Sequence, residues 1–492
     1  GERLQIIDRE GKPLTRGATT EHTLLNAGFN LLGTSLAAQE YWDNHRALDY
    51  LLTRKDIDPE HIGVYGSSGG GTQTAYYIGL DPRVKVAAIC SFFSTRERTM
   101  ELQGPSDGCQ HIPYEGREQL EVPDFALMMA PRPLLILSGK YDFVDLWGAQ
   151  QGFAELQQCY KVLGVPEKVD MLTVETGHGL GAEKRQKLAS WFKRWLKDNQ
   201  SPVKKAAQDR FQLSDMLCTT KGQVNVSMPG ALSIMQENVN QLDEWASKRE
   251  TFLSKGKKTV QTKMLDLLGL KGLPDHKIRI EATGHDSMRE YEQYKFQLIR
   301  EGEMPVPCIL IMPSRANADS PIELRLQEEG KGTYLSEYAN FAAALTEGKI
   351  LLLADLRGLG ETTDPAFYTD AKYWNREYRN AMISMHIGRP IMGQRVVDIL
   401  TLLDFCSEHE LLKGHPVKVF ANGIYGPAVI HAAYLDERIN SVEITHSVKT
   451  WKEYIEKPMQ WDMYSNVLYG ALKYYDLPDL IRLSNRPIRF AD

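Results

Sequence analysis

The chain has 492 residues, of which 42% are hydrophobic and 25% charged, with a formal net charge of −6. That length allows roughly two to four domains, and no apolar run is long enough to cross a membrane as a helix. The dispersed, slightly acidic charge excludes the concentrated basic surface that a nucleic-acid partner needs. The cysteines at 90, 109, 159, 218, 308 and 406 are scattered, with neither a C-x-x-C pair nor a zinc spacing.

In chain order, the first strong signal is Ile62-Gly63-Val64-Tyr65-Gly66-Ser67-Ser68-Gly69-Gly70-Gly71-Thr72. An apolar, strand-like run enters a glycine-flanked serine, and a helical segment from Thr72 to Leu80 leaves it. Gly66-Ser67-Ser68-Gly69-Gly70 fits G-x-S-x-G, a sharp strand-to-helix turn that exposes a nucleophilic serine. The flanking glycines are expected where strand and helix cross too closely for side chains. Ser68 is therefore the candidate nucleophile; the plainer alternative is a glycine-rich turn with a solvated hydroxyl.

A strand follows over Val84–Cys90, then the polar loop from Gly104 to His111, read either as a pocket mouth or as a surface loop. The apolar run Pro133–Leu137 predicts a further strand, followed by Ser138-Gly139-Lys140-Tyr141-Asp142. Lys168–Val174 predicts another, followed by Glu175-Thr176-Gly177-His178-Gly179. A serine hydroxyl needs an imidazole to take its proton and a carboxylate to orient that imidazole. The order Ser, Asp, His, each on a loop after a strand, makes His178 the candidate base and Asp142 its acid, with Asp145 as runner-up. The amide of Gly69, next after the nucleophile, is the expected oxyanion donor. Glu183–Asp198 then carries Leu188, Trp191, Phe192, Trp195 and Leu196 on one helical face, suiting a final helix packed on a sheet.

The chain also repeats itself. Residues 32–84 align without gaps on 387–439 at a constant shift of 355, with ten identities in 53 positions; chance gives about three. Gly33/Gly388, Asp49/Asp404, Gly71/Gly426 and Asp81/Asp436 are among them. Pro123-Asp124 and Pro478-Asp479 extend the match. Gly423 stands where Ser68 stands, so the second copy is expected to lack serine-hydrolase chemistry. The domains expected are 1–200, a hydrolase copy; 201–272, a lysine-rich connector; and 273–492, a degenerate copy. About 85 residues of the second copy precede the point that matches Gly1, so the first copy is expected to lack its amino-terminal strands, and the second its carboxyl-terminal end. The second oxyanion donor would lie in that upstream region, whose equivalent in the second copy is Gln327-Glu328-Glu329-Gly330.

Thr20-Glu21-His22, Leu32-Gly33-Thr34-Ser35-Leu36, Trp42-Asp43, Arg46–Leu51 and the Gly66–Thr74 elbow resemble the acetyl xylan esterase-like, dienelactone hydrolase-related α/β-hydrolases. Ala130-Pro131-Arg132-Pro133 and the Gly177-His178-Gly179 loop fit the same resemblance. It implies an α/β-hydrolase fold, a mostly parallel doubly wound sheet with helices on both faces, in two tandem copies. It also implies a serine esterase, without metal or cofactor, that deacetylates plant polysaccharide or a small ester, from a secreted or periplasmic bacterial setting. Two other readings stay open: a serine peptidase on the same triad, and a binding or scaffolding role for the second copy. For the latter, Tyr373, Trp374, Tyr378, Trp451, Tyr454, Trp461 and Tyr464 could stack on sugars or pack in a core.

Overall fold

The chain folds as two units, one of Gly1–Asn26 with Ser35–Ala231, the other of Ala27–Thr34 with Leu232–Asp492. The computed structural model describes all residues except 1, 204–210, 229, 366–372 and 492. The division differs from the expected connector over 201–272, which is split between the units at Ala231 and Leu232. Its second part forms the helices Ile234–Leu253 and Lys257–Leu267, in which Leu242, Leu253, Val260 and Met264 are buried. Polar and charged residues outnumber apolar ones in that stretch, but the apolar residues recur on one helical face and need covering.

Among its described residues the first unit holds four parallel strands, β1 (Gly63–Ser67), β2 (Val86–Cys90), β3 (Leu134–Gly139) and β4 (Val169–Val174), side by side in that order. In the central β2 and β3 the apolar residues run continuously because both faces are covered. Ala87, Ile89, Leu134 and Ile136 point into a core shared with the helices Gly69–Ile78, Val122–Leu127 and Leu146–Val162. The intervening Val86, Ala88, Leu135 and Leu137 point the other way, onto Leu188 and Trp191 of the final helix, Ala182–Lys197. The period of two along each strand thus feeds two separate apolar layers. No helix among the described residues is long and apolar enough to cross a membrane.

Among its described residues the second unit carries eight strands: β5 (Arg279–Ser287), β6 (Tyr291–Ile299), β7 (Val306–Pro313), β8 (Ile322–Leu326), β9 (Ile350–Ala354), β10 (Val417–Asn422), β11 (Ile439–Thr445) and β12 (Ile488–Phe490). Their spatial order is β5-β6-β7-β9-β8-β10-β11-β12, antiparallel from β5 through β9 and parallel from β9 to β12. Here β10 lies between β8 and β11, whereas β1, at the matching position of the repeat, pairs among the described residues with β2 alone.

Local structure recurs at the shift of 355. Arg83 bridges Asp81 (2.6 Å) and Asp49 (2.5 Å), and Arg438 bridges Asp436 (2.6 Å) and Asp404 (2.7 Å). Reciprocal capping boxes join Glu121 with Asp124 and Asp476 with Asp479. The loop after β2 is not the solvated surface loop that its composition allowed. Gly104, Cys109 and His111 are buried, and the Gln110 carbonyl accepts from Tyr76 (2.9 Å) and Arg96 (2.8 Å).

Arg96 and Glu115, each 2% exposed, pair at 3.2 Å, and Tyr76 donates to the same carboxylate at 3.0 Å. Replacing one member strands the other's charge in the core, which costs about 3–5 kcal/mol. Arg96→Met is therefore expected to lower the unfolding free energy of the first unit, read from urea titration, by that amount. A change below about 1 kcal/mol would show that the pair does not anchor the loop.

Candidate active site

Because the strands of the first unit are parallel, their carboxyl ends share one edge, and the loops leaving β1, β2, β3 and β4 meet there. Ser68 stands between β1 and the helix Gly69–Ile78 with φ 59° and ψ −123°, a region that side chains other than glycine rarely enter. Its N–H donates to the Cys90 carbonyl on β2 (3.0 Å), and its carbonyl accepts from Thr72 (3.0 Å). The turn is held by close backbone approach. A Cβ on Gly66 would lie 1.9 Å from the Gly70 carbonyl oxygen, and one on Gly71 would lie 2.8 Å from that of Cys90. Gly70 meets nothing within 4 Å, so the crowding expected at the second glycine of the pattern falls one residue later. Gly69 opens the helix, where backbone N–H groups have no partner within the helix.

Gly139 ends β3 where a Cβ would press on the carbonyls of Thr176 and Gly177, at 2.6 and 2.7 Å. That approach brings Asp142 to His178: Oδ1 and Nδ1 are 2.8 Å apart. The Asp142 carboxylate is 1% exposed and also accepts from the Val144 N–H at 3.1 Å. Burial alone would raise its pKa. The bonds from His178 and Val144 and the adjacent Ser91 hydroxyl outweigh burial and hold it below the usual carboxylate range. The His178 imidazole is 30% exposed and stacks on Phe143, with centroids 4.2 Å apart and planes at 20°. Ser68 and His178 share no hydrogen bond. They are tied to neighbouring atoms of one strand end: Cys90 accepts from Ser68, and Ser91 Oγ accepts from the Gly179 N–H at 3.1 Å. Asp145 caps the helix Leu146–Val162, accepting from the Gly148 N–H at 2.6 Å, and has no bond to His178.

Sequence reading missed two residues here. Lys184 is fully buried, with Nζ 3.1 Å from Ser91 Oγ and 2.9 Å from the Gly179 carbonyl. It lies four residues before Leu188 on the buried face of the final helix, so a lysine on an otherwise apolar face was the available signal. Ser91 itself holds φ 49°, as does its repeat counterpart His446 at φ 50°.

The described residues also bring His22, Glu40 and Cys109 together, with ligand atoms all within 4.8 Å of one another. Burial raises the Glu40 carboxyl to about 7, with Asp43 adding to the rise. The set includes the residue types that bind zinc, but it is built on other elements than Ser68 and His178.

In the second unit β10 leads into Gly423, φ 62°, a 3-10 turn over Gly423–Tyr425 and the helix Gly426–Leu435. The Glu328 carboxylate, from the loop after β8, accepts the Ile424 N–H at 3.1 Å, and a Cβ on Gly423 would collide with it. Ile424 follows Gly423 as Gly69 follows Ser68, so an anionic oxygen already sits on the second unit's counterpart of the Gly69 amide. Arg376 lies 3.4 Å from Glu328 and 2.8 Å from Asp462. These groups line a cavity of about 540 Å³.

Residues 31–199 match the sequence model of the prolyl oligopeptidase family, Peptidase_S9. YtaP of Bacillus subtilis (strain 168), which bears a provisional hydrolase name, is 26% identical over 168 residues, or 34% of this chain and 56% of its own length. The chain thus spans just over half the length of that relative. Among solved structures, a provisionally named acetyl xylan esterase of Bacteroides fragilis is similar with a TM-score of 0.42 and 14% identity, covering 52% of this chain and 74% of its own. Acetyl xylan esterase 1 of Thermoanaerobacterium sp. is similar with a TM-score of 0.33 and 15% identity, covering 48% of this chain and 77% of its own. The family match and the parallel sheet with its elbow give the first unit the α/β-hydrolase fold.

Proposed function

We propose that the first unit is a serine esterase that deacetylates a polysaccharide such as acetylated xylan through an acyl-enzyme on Ser68. The observation that carries the reading is the pairing of a serine at φ 59° on a strand-to-helix turn with an Asp142–His178 contact of 2.8 Å, both delivered at one sheet edge. Ser68 Oγ attacks the ester carbonyl while His178 Nε2 takes its proton. Asp142, accepting from Nδ1–H, fixes the tautomer and stabilises the imidazolium. The carbonyl oxygen gains its charge against the free Gly69 N–H. Collapse expels the sugar alkoxide, which takes the proton from His178, and water then releases acetate by the same steps in reverse. Catalytic hydrogen bonds in free enzymes are often long and tighten on substrate, which suits the open Ser68–His178 pair.

Gly423 offers no hydroxyl, and Glu328 covers the amide beside it, so the reading assigns ester chemistry to the first unit alone. A peptidase reading is favoured by the matched family, which is named for an oligopeptidase. Acetate release from acetylated xylan and amine release from a chromogenic prolyl peptide, measured on the same preparation, separate the two. The ester is expected to be preferred by at least about 100-fold in kcat/KM, or 2.7 kcal/mol. Preference for the peptide would overturn the esterase reading and leave the triad assignment standing.

A further inference from the structure

We propose that the cavity beside Gly423 in the second unit is a binding site for a neutral oligosaccharide, independent of ester turnover in the first. The cavity encloses about 540 Å³, within the ~300–1,000 Å³ range of small-ligand clefts. Its rim carries Trp461, 62% exposed, with its indole stacked on that of Trp374, centroids 5.9 Å apart and planes at 16°. The Asp462 N–H donates to the Trp374 carbonyl at 2.9 Å, and Asp462 itself takes φ 56°, so the indole pair is held by backbone. An exposed, fixed aromatic plane at the mouth of a polar cavity fits the apolar C–H face of a pyranose ring.

The cavity floor supplies the polar half of such a site. Asn466, 2% exposed, has an Oδ1 with no hydrogen-bond partner, and buried Ser447 Oγ has none either. Both residues line the cavity. A buried acceptor or hydroxyl left unpaired costs about 1–3 kcal/mol, and a ligand hydroxyl would relieve it once a side-chain rotation opens either atom, now shut off from solvent, to the cavity. Arg376 is pinned between Glu328 and Asp462 and presents a fixed guanidinium fork. With Glu453 also on the wall, the lining carries three carboxylates, one arginine and His446. That surplus of negative charge disfavours uronic acids and phosphates, so the ligand class is a neutral glycan.

The full chain carrying Ser68→Ala, titrated calorimetrically with xylotetraose and with cellotetraose, tests this without any ester present. Saturable binding of at least one of them is expected, with quenching of tryptophan fluorescence. Trp461→Ala in the same background is expected to weaken it about tenfold or more, with the melting temperature checked to show that the unit remains folded. Absence of saturable binding up to about 10 mM, equal affinity in the Trp461→Ala chain, or tighter binding of tetragalacturonate would each overturn the proposal. None of these results depends on whether Ser68 hydrolyses esters.

Discussion

Ser68→Ala is expected to lower the turnover of a small acetyl ester by about 10⁴- to 10⁶-fold, the range seen when the nucleophile of a serine triad is removed. The expectation follows from geometry. Ser67 and Ser68 are adjacent hydroxyls, but Ser67 closes β1, and Ser68 alone occupies the left-handed turn at the helix start. Ser67→Ala is therefore the matched control and should retain most activity. The melting temperature of Ser68→Ala should move by less than about 2 °C. Ser68 Oγ makes no hydrogen bond that folding depends on, and alanine keeps both the backbone strain and the Ser68–Cys90 amide bond. Residual catalysis would come from the Gly69 amide and from binding. Activity above about 1% of the wild type in Ser68→Ala, or its loss in Ser67→Ala, would move the nucleophile elsewhere.

How much of this was legible in the sequence depends on the distance over which each feature is encoded. The strands, the final helix and the elbow are local patterns of apolar period and glycine placement, and they fall within a few residues of their expected bounds. The repeat was legible because Asp49, Asp81 and Arg83 recur as Asp404, Asp436 and Arg438, and each trio forms the same ion-pair network. Glu328 was named only as part of a loop. Its place over the Ile424 amide relates residues 96 apart and follows from β8 lying beside β10. The membership of Ala27–Thr34 in the second unit was equally hidden. It rests on pairs such as the Gly470 N–H with the Asn30 carbonyl at 2.8 Å, and no local pattern announces a bond of that span. Lys184 escaped because a lysine on a helix reads as solvated unless the face it occupies is checked against its neighbours.

The glycines of the elbow give the sharpest divergence between pattern and structure, and hence the second large effect. G-x-S-x-G treats Gly66 and Gly70 alike. Gly66→Ala is expected to destabilise the first unit by about 3 kcal/mol or more and to abolish ester turnover, because the obstacle at 1.9 Å is the Gly70 carbonyl, backbone of the helix's first turn. Gly70→Ala should be neutral or stabilising by up to about 1 kcal/mol, since it lies exposed on the helix with nothing within 4 Å. Gly71→Ala should resemble Gly66→Ala in sign, meeting the Cys90 carbonyl at 2.8 Å and Phe92 Cβ at 2.9 Å. The second unit makes the same experiment by substitution. Its counterparts are Ala421, Tyr425 and Gly426, so glycine persists only at the position matching Gly71. Ala421 is tolerated there because a 3-10 turn separates Gly423 from a helix that begins at Gly426, whereas the helix after Ser68 begins at once, at Gly69. The demand for glycine at 66 is thus a consequence of holding Ser68 directly on a helix start. Urea unfolding of the three variants, read beside ester turnover, checks the ranking. Equal stabilities for Gly66→Ala and Gly70→Ala would mean that the helix start yields, and that the elbow is not the rigid element its close contacts describe.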